Sequence, residues 1–338
     1  MHAVTGEQHR LHHTGRNGEV VATITALAAG IRELSVGGVD LVETFPETTI
    51  APMGCGIVLV PWPNRVRDGK WVLDGKTQQL DVTEASTGNA SHGLLRNTGY
   101  TPRERSDGAV ELGAEVFPQH GYPFHLDTSV RYELVDDGLT VTHTIINRSA
   151  AAAPVAVGTH PYLAFGGVPT EELVLTVDAG TWFETDEQLV PIAEHPVDGT
   201  ANDLREGVLV GEIDLNVGLG GVPSGGSAHR LTAPDGRFVE LWADDQFPFV
   251  QVYTPHDFPK AAGTGIAVAI EPMSAPAGAL NSGQGLRWLA QDESWTLTWA
   301  SASVIRTADC RRASIIAVVL QDDPQATEIA LRPDVTAG

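Results

Sequence analysis

Arg131-Tyr132-Glu133-Leu134-Val135-Asp136-Asp137-Gly138-Leu139-Thr140-Val141-Thr142-His143-Thr144-Ile145 reads as two strands around a turn. Leu139, Val141 and Ile145 alternate with polar residues, the period of a pleated strand with one buried face. Asp137-Gly138 suits the positive backbone angles of a tight hairpin. The same punctuation recurs at Asp68-Gly69, Asp74-Gly75, Asp107-Gly108, Asp198-Gly199 and Asp235-Gly236. Runs rich in β-branched and aromatic residues flank these pairs or lie beyond them: Trp71-Val72-Leu73, Phe238-Val239-Glu240-Leu241-Trp242, Phe249-Val250-Gln251-Val252-Tyr253 and Trp295-Thr296-Leu297-Thr298-Trp299. No window of twelve or more residues carries an apolar stripe at helical spacing. The pattern predicts an all-β chain, one continuous antiparallel system from about Val20 to Ile305 folded as two packed sheets.

Three segments stand outside that pattern. Residues 1–19 are polar and hold His2, His9, His12 and His13; a frayed terminus is expected there in preference to a metal site. Residues 216–228, with Gly218, Gly220, Gly221, Gly225 and Gly226, read as a long surface loop, since no phosphate-loop ending follows. Residues 307–338 form an extension whose apolar run, Ala313 to Leu320, suits a strand, a packing arm or a poorly ordered extension equally. The main domain is expected over 20–306.

Composition narrows the function. The chain has 338 residues, 42% of them hydrophobic, enough for a sizeable core. Against 43 Asp and Glu stand 21 Lys and Arg, a formal net charge of −22. Such a charge repels nucleic acid and anionic membranes, so neither is expected as a partner. No apolar run approaches the ~18 residues of a membrane span, and no signal pattern opens the chain. A cytoplasmic protein, monomer or homodimer, is the expectation. Two cysteines, Cys55 and Cys310, exclude a disulfide framework and a Cys pair for metal. Neither a metal-binding His motif nor a serine-nucleophile turn is present, so no metal or nucleotide cofactor is expected.

The chemistry-bearing residues lie where strands meet turns. His160 follows Val155-Ala156-Val157-Gly158-Thr159 and precedes Pro161-Tyr162; Glu271 follows Ile266-Ala267-Val268-Ala269-Ile270 and precedes Pro272, which is expected to end the strand. A carboxylate beside an apolar strand needs a partner or open water. Paired with an imidazole it is a ready general base and acid. Asn64 and Arg65 follow two prolines that fix their backbone direction, and Arg65 offers a fork of donors. His92 sits before a glycine, Asp214 in a turn, and Gln251 on one strand face with Phe249 and Tyr253.

Taken together, Pro63-Asn64-Arg65 with Gly69-Lys70-Trp71, Ser91-His92-Gly93, Thr159-His160-Pro161-Tyr162, Phe249-Val250-Gln251-Val252-Tyr253-Thr254 and Glu271-Pro272 resemble the aldose 1-epimerase (galactose mutarotase) family, in its order and over most of the chain. The resemblance implies a large antiparallel β-supersandwich of the galactose mutarotase-like type. It implies Glu271 as general base and His160 as general acid in the interconversion of α and β anomers of a free aldohexose. Asn64, Arg65, His92, Tyr162, Asp214 and Gln251 match its sugar-binding positions. The chain departs from the family at Thr159 and Pro161, where Asn and Thr are common, and at Leu94 after His92-Gly93. Two other readings share the fold: a hexose-phosphate epimerase, with Arg65, Arg67 and Arg96 converging on a phosphate, and a sugar-binding protein without catalysis.

Overall fold

A computed structural model describes residues 2–261 and 263–304. The C-terminal extension expected over 307–338, including the Ala313–Leu320 run and Cys310, lies outside the described residues. Within them the regular structure is almost all antiparallel strand, with one α-helix, the four residues Ala279–Ser282, and four short 3-10 helices.

The decisive hairpin forms as read. Strands Leu126–Val135 and Gly138–Asn147 pair from Leu126↔Asn147 to Val135↔Gly138. Val130, Tyr132 and Leu134 on one strand, and Leu139, Val141 and Ile145 on the other, point to the core, while their neighbours are less buried. The turn itself differs by one residue. Asp136-Asp137 make it, and Gly138 opens the second strand, where a Cβ would lie 1.9 Å from the Ser301 carbonyl oxygen. Glycine is required there by the close approach of strand Ser294–Val304, not by the turn.

This hairpin is the centre of a nine-stranded sheet, whose other central members are Ser294–Val304, Phe238–Ala243 and Ser227–Thr232. An eight-stranded sheet packs against it in the order Pro191–Pro196, Thr181–Thr185, Asn216–Gly220, Phe249–Tyr253, Val268–Met273, Gly158–Thr159, Val58–Leu59, with Tyr162–Leu163 also pairing to Val268–Met273. Val217, Leu219, Val250, Val252, Val268 and Ile270 face the nine-stranded sheet and join its Val141, Leu241, Leu297 and Trp299 in one core. Burying each such side chain contributes roughly 1.5–3 kcal/mol. Alternation then dictates the rest. With Val268 and Ile270 inward, Ala269 and Glu271 must face the other way. The site therefore stands on the outer face of the eight-stranded sheet, on a floor anchored by the core beneath it.

Three expectations are corrected. Residues 8–15, expected to fray, form strand Gln8–Gly15, which pairs along its whole length with Gly18–Thr25. Its alternation buries His9 and Leu11 completely, so the histidines hid an ordinary edge of the fold. Residues 216–228, expected to be one loop, contain strand Asn216–Gly220 and the start of strand Ser227–Thr232. Gly220 pairs with Thr181 in that strand, and a Cβ there would crowd its neighbours, 2.9 Å from Thr181 Oγ1 and 3.2 Å from Glu194 Oε1. Pro272 does not end its strand, which continues to Met273, paired with both Phe249 and Gly158. No helix among the described residues is long and apolar enough to cross a membrane.

Candidate active site

Glu271 lies opposite Gln251 in the ladder between Val268–Met273 and Phe249–Tyr253. It is 2% exposed. Its Oε1 stands 3.3 Å from His160 Nε2, and its Oε2 is buried without a hydrogen-bond partner among the described residues. His160 follows the short strand Gly158–Thr159 and is held from several sides. Its backbone N–H donates to Ile57 O and its carbonyl accepts from Gly56 N–H. Tyr162 stacks on its ring at 5.2 Å, and His92 meets it edge-on at 5.5 Å.

Burial governs the electrostatics of the pair. It pushes the Glu271 carboxyl up to about 8 against the opposing pull of the Arg65 charge. It pulls the His160 imidazole down to about 4, and the Arg96 and Arg65 charges add to the fall. Both directions have one cause, the cost of an uncompensated charge in a dry site. At neutral pH the pair accordingly holds one proton, and in the empty site both directions place it on Glu271 and leave His160 neutral.

Asn64 and His92 both adopt the left-handed backbone region, φ 54° and 63°. Such conformations cost energy and persist where surrounding structure enforces them. Here the short ladder Arg65–Val66 with Ala90–Ser91, closed by His92 N–H donating to Asn64 O at 2.8 Å, does so. Gly93, φ 73°, completes the turn because a Cβ there would lie 2.0 Å from the Val60 carbonyl oxygen. The His92 imidazole is held well below its usual range, chiefly by burial and then by the neighbouring His160, Arg96 and Arg65. It is a neutral donor or acceptor.

A chain of side-chain hydrogen bonds joins the polar residues. Glu84 grips Arg65 in a two-pronged ion pair at 2.7 and 2.8 Å. Arg65 Nη1 donates to Asn64 Oδ1 at 3.2 Å, Asn64 Nδ2 to Gln251 Oε1 at 3.1 Å, and Gln251 Nε2 to Asn216 Oδ1 at 2.8 Å. Each amide has one further N–H, and Arg65 has further donors, so the chain presents a preset row of hydrogen-bond donors.

Six of the eight residues singled out from the sequence gather in one place: Glu271, His160, Asn64, Arg65, His92 and Gln251. Tyr162 joins them differently. It is wholly buried beneath His160, its hydroxyl 3.4 Å from Met53 O, and it supports the imidazole. Asp214 is exposed and its side chain makes no hydrogen bond or ion pair among the described residues; its charge reaches Tyr253. Asn216, two residues on and the first residue of strand Asn216–Gly220, enters the network instead. Glu84 and Asn216 escaped sequence reasoning. Their trace in the sequence is slight: an acid with no neighbouring base, and an Asn alternating with Gly218. Among the described residues no three His, Cys, Asp or Glu side chains are placed to hold a metal ion.

Comparison with known proteins agrees with this fold. The sequence model of the family described as aldose 1-epimerase matches residues 11–300. The protein YihR of Escherichia coli K12, itself uncharacterised, is 31% identical over 267 residues, 79% of this chain and 84% of YihR. Among solved structures, the GalM/aldose epimerase homologue from C. elegans superposes with a TM-score of 0.76 at 18% identity, covering 88% of this chain and 99% of that one. A galactose mutarotase-like protein from Clostridium acetobutylicum gives 0.74 at 18% identity, covering 84% and 92%. At those identities the structures speak for the fold, and the match over 11–300 speaks for the kinship. This chain belongs to the aldose 1-epimerase family.

Proposed function

We propose that the protein is a mutarotase, interconverting the α and β anomers of a free aldohexose by acid–base ring opening and reclosure. The observation that carries this reading is the contact between Glu271 and His160 on the outer sheet face. Ring opening removes a proton from the anomeric hydroxyl and adds one to the ring oxygen. Those two oxygens share one carbon, so the acid and the base must stand side by side, as a carboxylate and imidazole 3.3 Å apart do.

In the forward direction the pair starts with its one proton on His160 Nε2 and Glu271 ionised, a form that burial makes the minor one in the empty site; Glu271 then takes the hydroxyl proton while His160 Nε2–H donates to the ring oxygen. The C1–O5 bond breaks, C1 becomes an aldehyde, and rotation about C1–C2 presents its other face. Closure reverses both transfers and restores the single proton of the pair. Each positioned proton transfer supplies roughly 10²–10⁴-fold. Arg65, Asn64 and Gln251 orient the ring hydroxyls as preorganised donors. The chemistry needs no redox partner.

The hexose-phosphate reading has less support. Two of its three arginines already carry a carboxylate partner, Arg65 with Glu84 and Arg67 with Asp186 at 2.5 Å, while Arg96 has only the Ser91 carbonyl oxygen at 3.4 Å among the described residues. The test is polarimetry of freshly dissolved α-aldoses beside glucose 6-phosphate. Acceleration of the free sugars supports the proposal. Rates no faster than the spontaneous reaction for every free aldose refute it, and tight binding without acceleration would favour a sugar-binding protein.

A further inference from the structure

Resting on the reading of Glu271 and His160 as the reacting pair, we infer that the turn 186–190 is a gate beside that pair, closed in this structure and latched by Gln188. Both reacting groups are nearly sealed, Glu271 at 2% exposure and His160 at 5%. The hollow over Asn64, Arg65 and Gln251 measures about 10 Å³. That is room for one water molecule, whereas sites for small molecules run to roughly 300–1,000 Å³. A hexose reaches the pair only if a wall moves. Much of the wall is fixed: Asn216, Gln251 and Met273 belong to paired strands, and Asn64 is tied to Gln251. Leu189 and Pro191, which also line the hollow, belong to the hairpin of Thr181–Thr185 with Pro191–Pro196. Its second strand is the edge of the eight-stranded sheet, so it moves without breaking a second ladder. The hairpin shifts register between Glu184 and Thr185, a bulge that bends it at the root of the turn. Leu189 itself stands in the left-handed region, φ 58°, the kind of local strain that switch segments carry.

Polar contacts hold the turn down. Gln188 Oε1 accepts from Arg67 Nη1 at 2.7 Å, and its Nε2 donates to Asp68 Oδ1 at 3.0 Å and to the Thr87 carbonyl oxygen at 3.1 Å. The Gln188 carbonyl oxygen accepts from Asn89 Nδ2 at 2.8 Å, and Asp186 pairs with Arg67. All of these partners lie in the segment 67–89, which also carries Glu84, the residue that grips Arg65. Hydrogen bonds of this kind exchange with water at small net cost, so the latch opens without exposing a core. Val190 is the apolar pivot, buried and 3.3 Å from where a Cβ of Gly278 would stand. Room for the swing lies alongside. A groove of about 530 Å³ runs along Pro191, Ile192 and Ala193 and reaches Arg67 and Asp68, where the latch is fastened. Phe183, Pro191 and Ala277 line both this groove and the hollow and stand between them. Displacing the turn into the groove joins the two volumes into a space of ligand size. Closed again over a sugar, the turn excludes water from the proton transfers.

The experiment measures how fast diethyl pyrocarbonate, which acylates neutral imidazole nitrogens, modifies each histidine in the sugar-free protein, read by peptide mass spectrometry. Wild type is compared with Gln188→Ala. Loss of three side-chain hydrogen bonds from the latch predicts a rise of about tenfold or more in the modification rate of His160. His120, exposed, is the reference for free access, and His143 and His229, both buried elsewhere, report any general loosening of the fold. Their rates are expected to stay unchanged in the variant. Equal His160 rates in the two proteins, a wild-type rate matching that of His120, or a parallel rise at His143 and His229 would each overturn the gate. The readout needs no turnover, which separates it from the activity. A protein that shows the His160 effect but accelerates no aldose refutes the proposed function and leaves the gate standing. Mutarotation with a His160 reactivity indifferent to Gln188 does the reverse.

Discussion

Replacing Glu271 by Gln is expected to stabilise the fold, and more so as pH rises. The carboxyl is raised from 4.5 to about 8 by burial. Below 4.5 it is protonated in both the folded and the unfolded chain, and its ionisation contributes nothing. Between 4.5 and about 8 the unfolded chain releases this proton while the folded chain keeps it, so stability falls as pH rises. The loss is about 1.4 kcal/mol per pH unit and approaches roughly 5 kcal/mol by pH 8. That figure is an upper bound, because a proton shared with His160 takes back part of the cost of ionisation. An amide of the same shape has no such proton to release. Urea denaturation of wild type and variant from pH 5 to pH 8 reads the difference directly. The gap between the two is expected to widen with pH in favour of the variant, by about 2–4 kcal/mol across the range. A constant gap, or one that closes with pH, would refute the argument that Glu271 is an uncompensated buried acid.

Three further outcomes follow from the same geometry. Glu84→Gln removes the charge that holds Arg65; a partly buried guanidinium left unpaired predicts a loss of about 1–3 kcal/mol in stability and a fall in kcat/KM, both absent if Arg65 is positioned by other contacts. Because the Arg65 pairing and Thr87 hold the Glu84 carboxyl below its usual range despite its half-burial, this contribution is present above the unfolded carboxyl value and fades as pH falls through the lower folded one. Gly93→Ala drives a methyl group into the Val60 carbonyl oxygen and is expected to cost about 2–4 kcal/mol by thermal or chemical melting; a neutral substitution would show that the turn is free to relax. The kcat/KM of mutarotation is expected to be bell-shaped, with a plateau between limbs near about 4 and about 8 that belong to the Glu271–His160 pair jointly, whereas a single limb near 6.5 would point to a solvent-exposed histidine acting alone.

Much of this molecule was legible in its sequence because strands and hairpins are local statements. The hairpin around Asp137 announced its period in fifteen consecutive residues, and Ala269 and Glu271 were separated from Val268 and Ile270 by alternation alone. Buried polar residues misled the same reasoning. His9 lies in a fully buried strand position that polarity argued against. Glycines misled it too, since Gly138 and Gly220 answer to a neighbouring strand's approach and not to local chain reversal. Partners distant in sequence were the larger gap. Glu84 reaches Arg65 across 19 positions and Gln251 reaches Asn216 across 35, and nothing in one chain's pattern reports a pairing that only the folded sheet brings about. Asp214 shows the converse: a short local match chose the exposed turn residue while the network runs through Asn216.

The central claim is that Glu271 and His160 together move one proton between the two oxygens of an anomeric carbon. Exchange spectroscopy of the anomeric protons of an aldose at equilibrium, with wild type, Glu271→Gln and His160→Ala in turn, tests it most directly. The account predicts that each substitution lowers the α–β exchange rate by about 10²–10⁴-fold while circular dichroism shows the sheets intact. Exchange at the wild-type rate in the Glu271→Gln variant would contradict it.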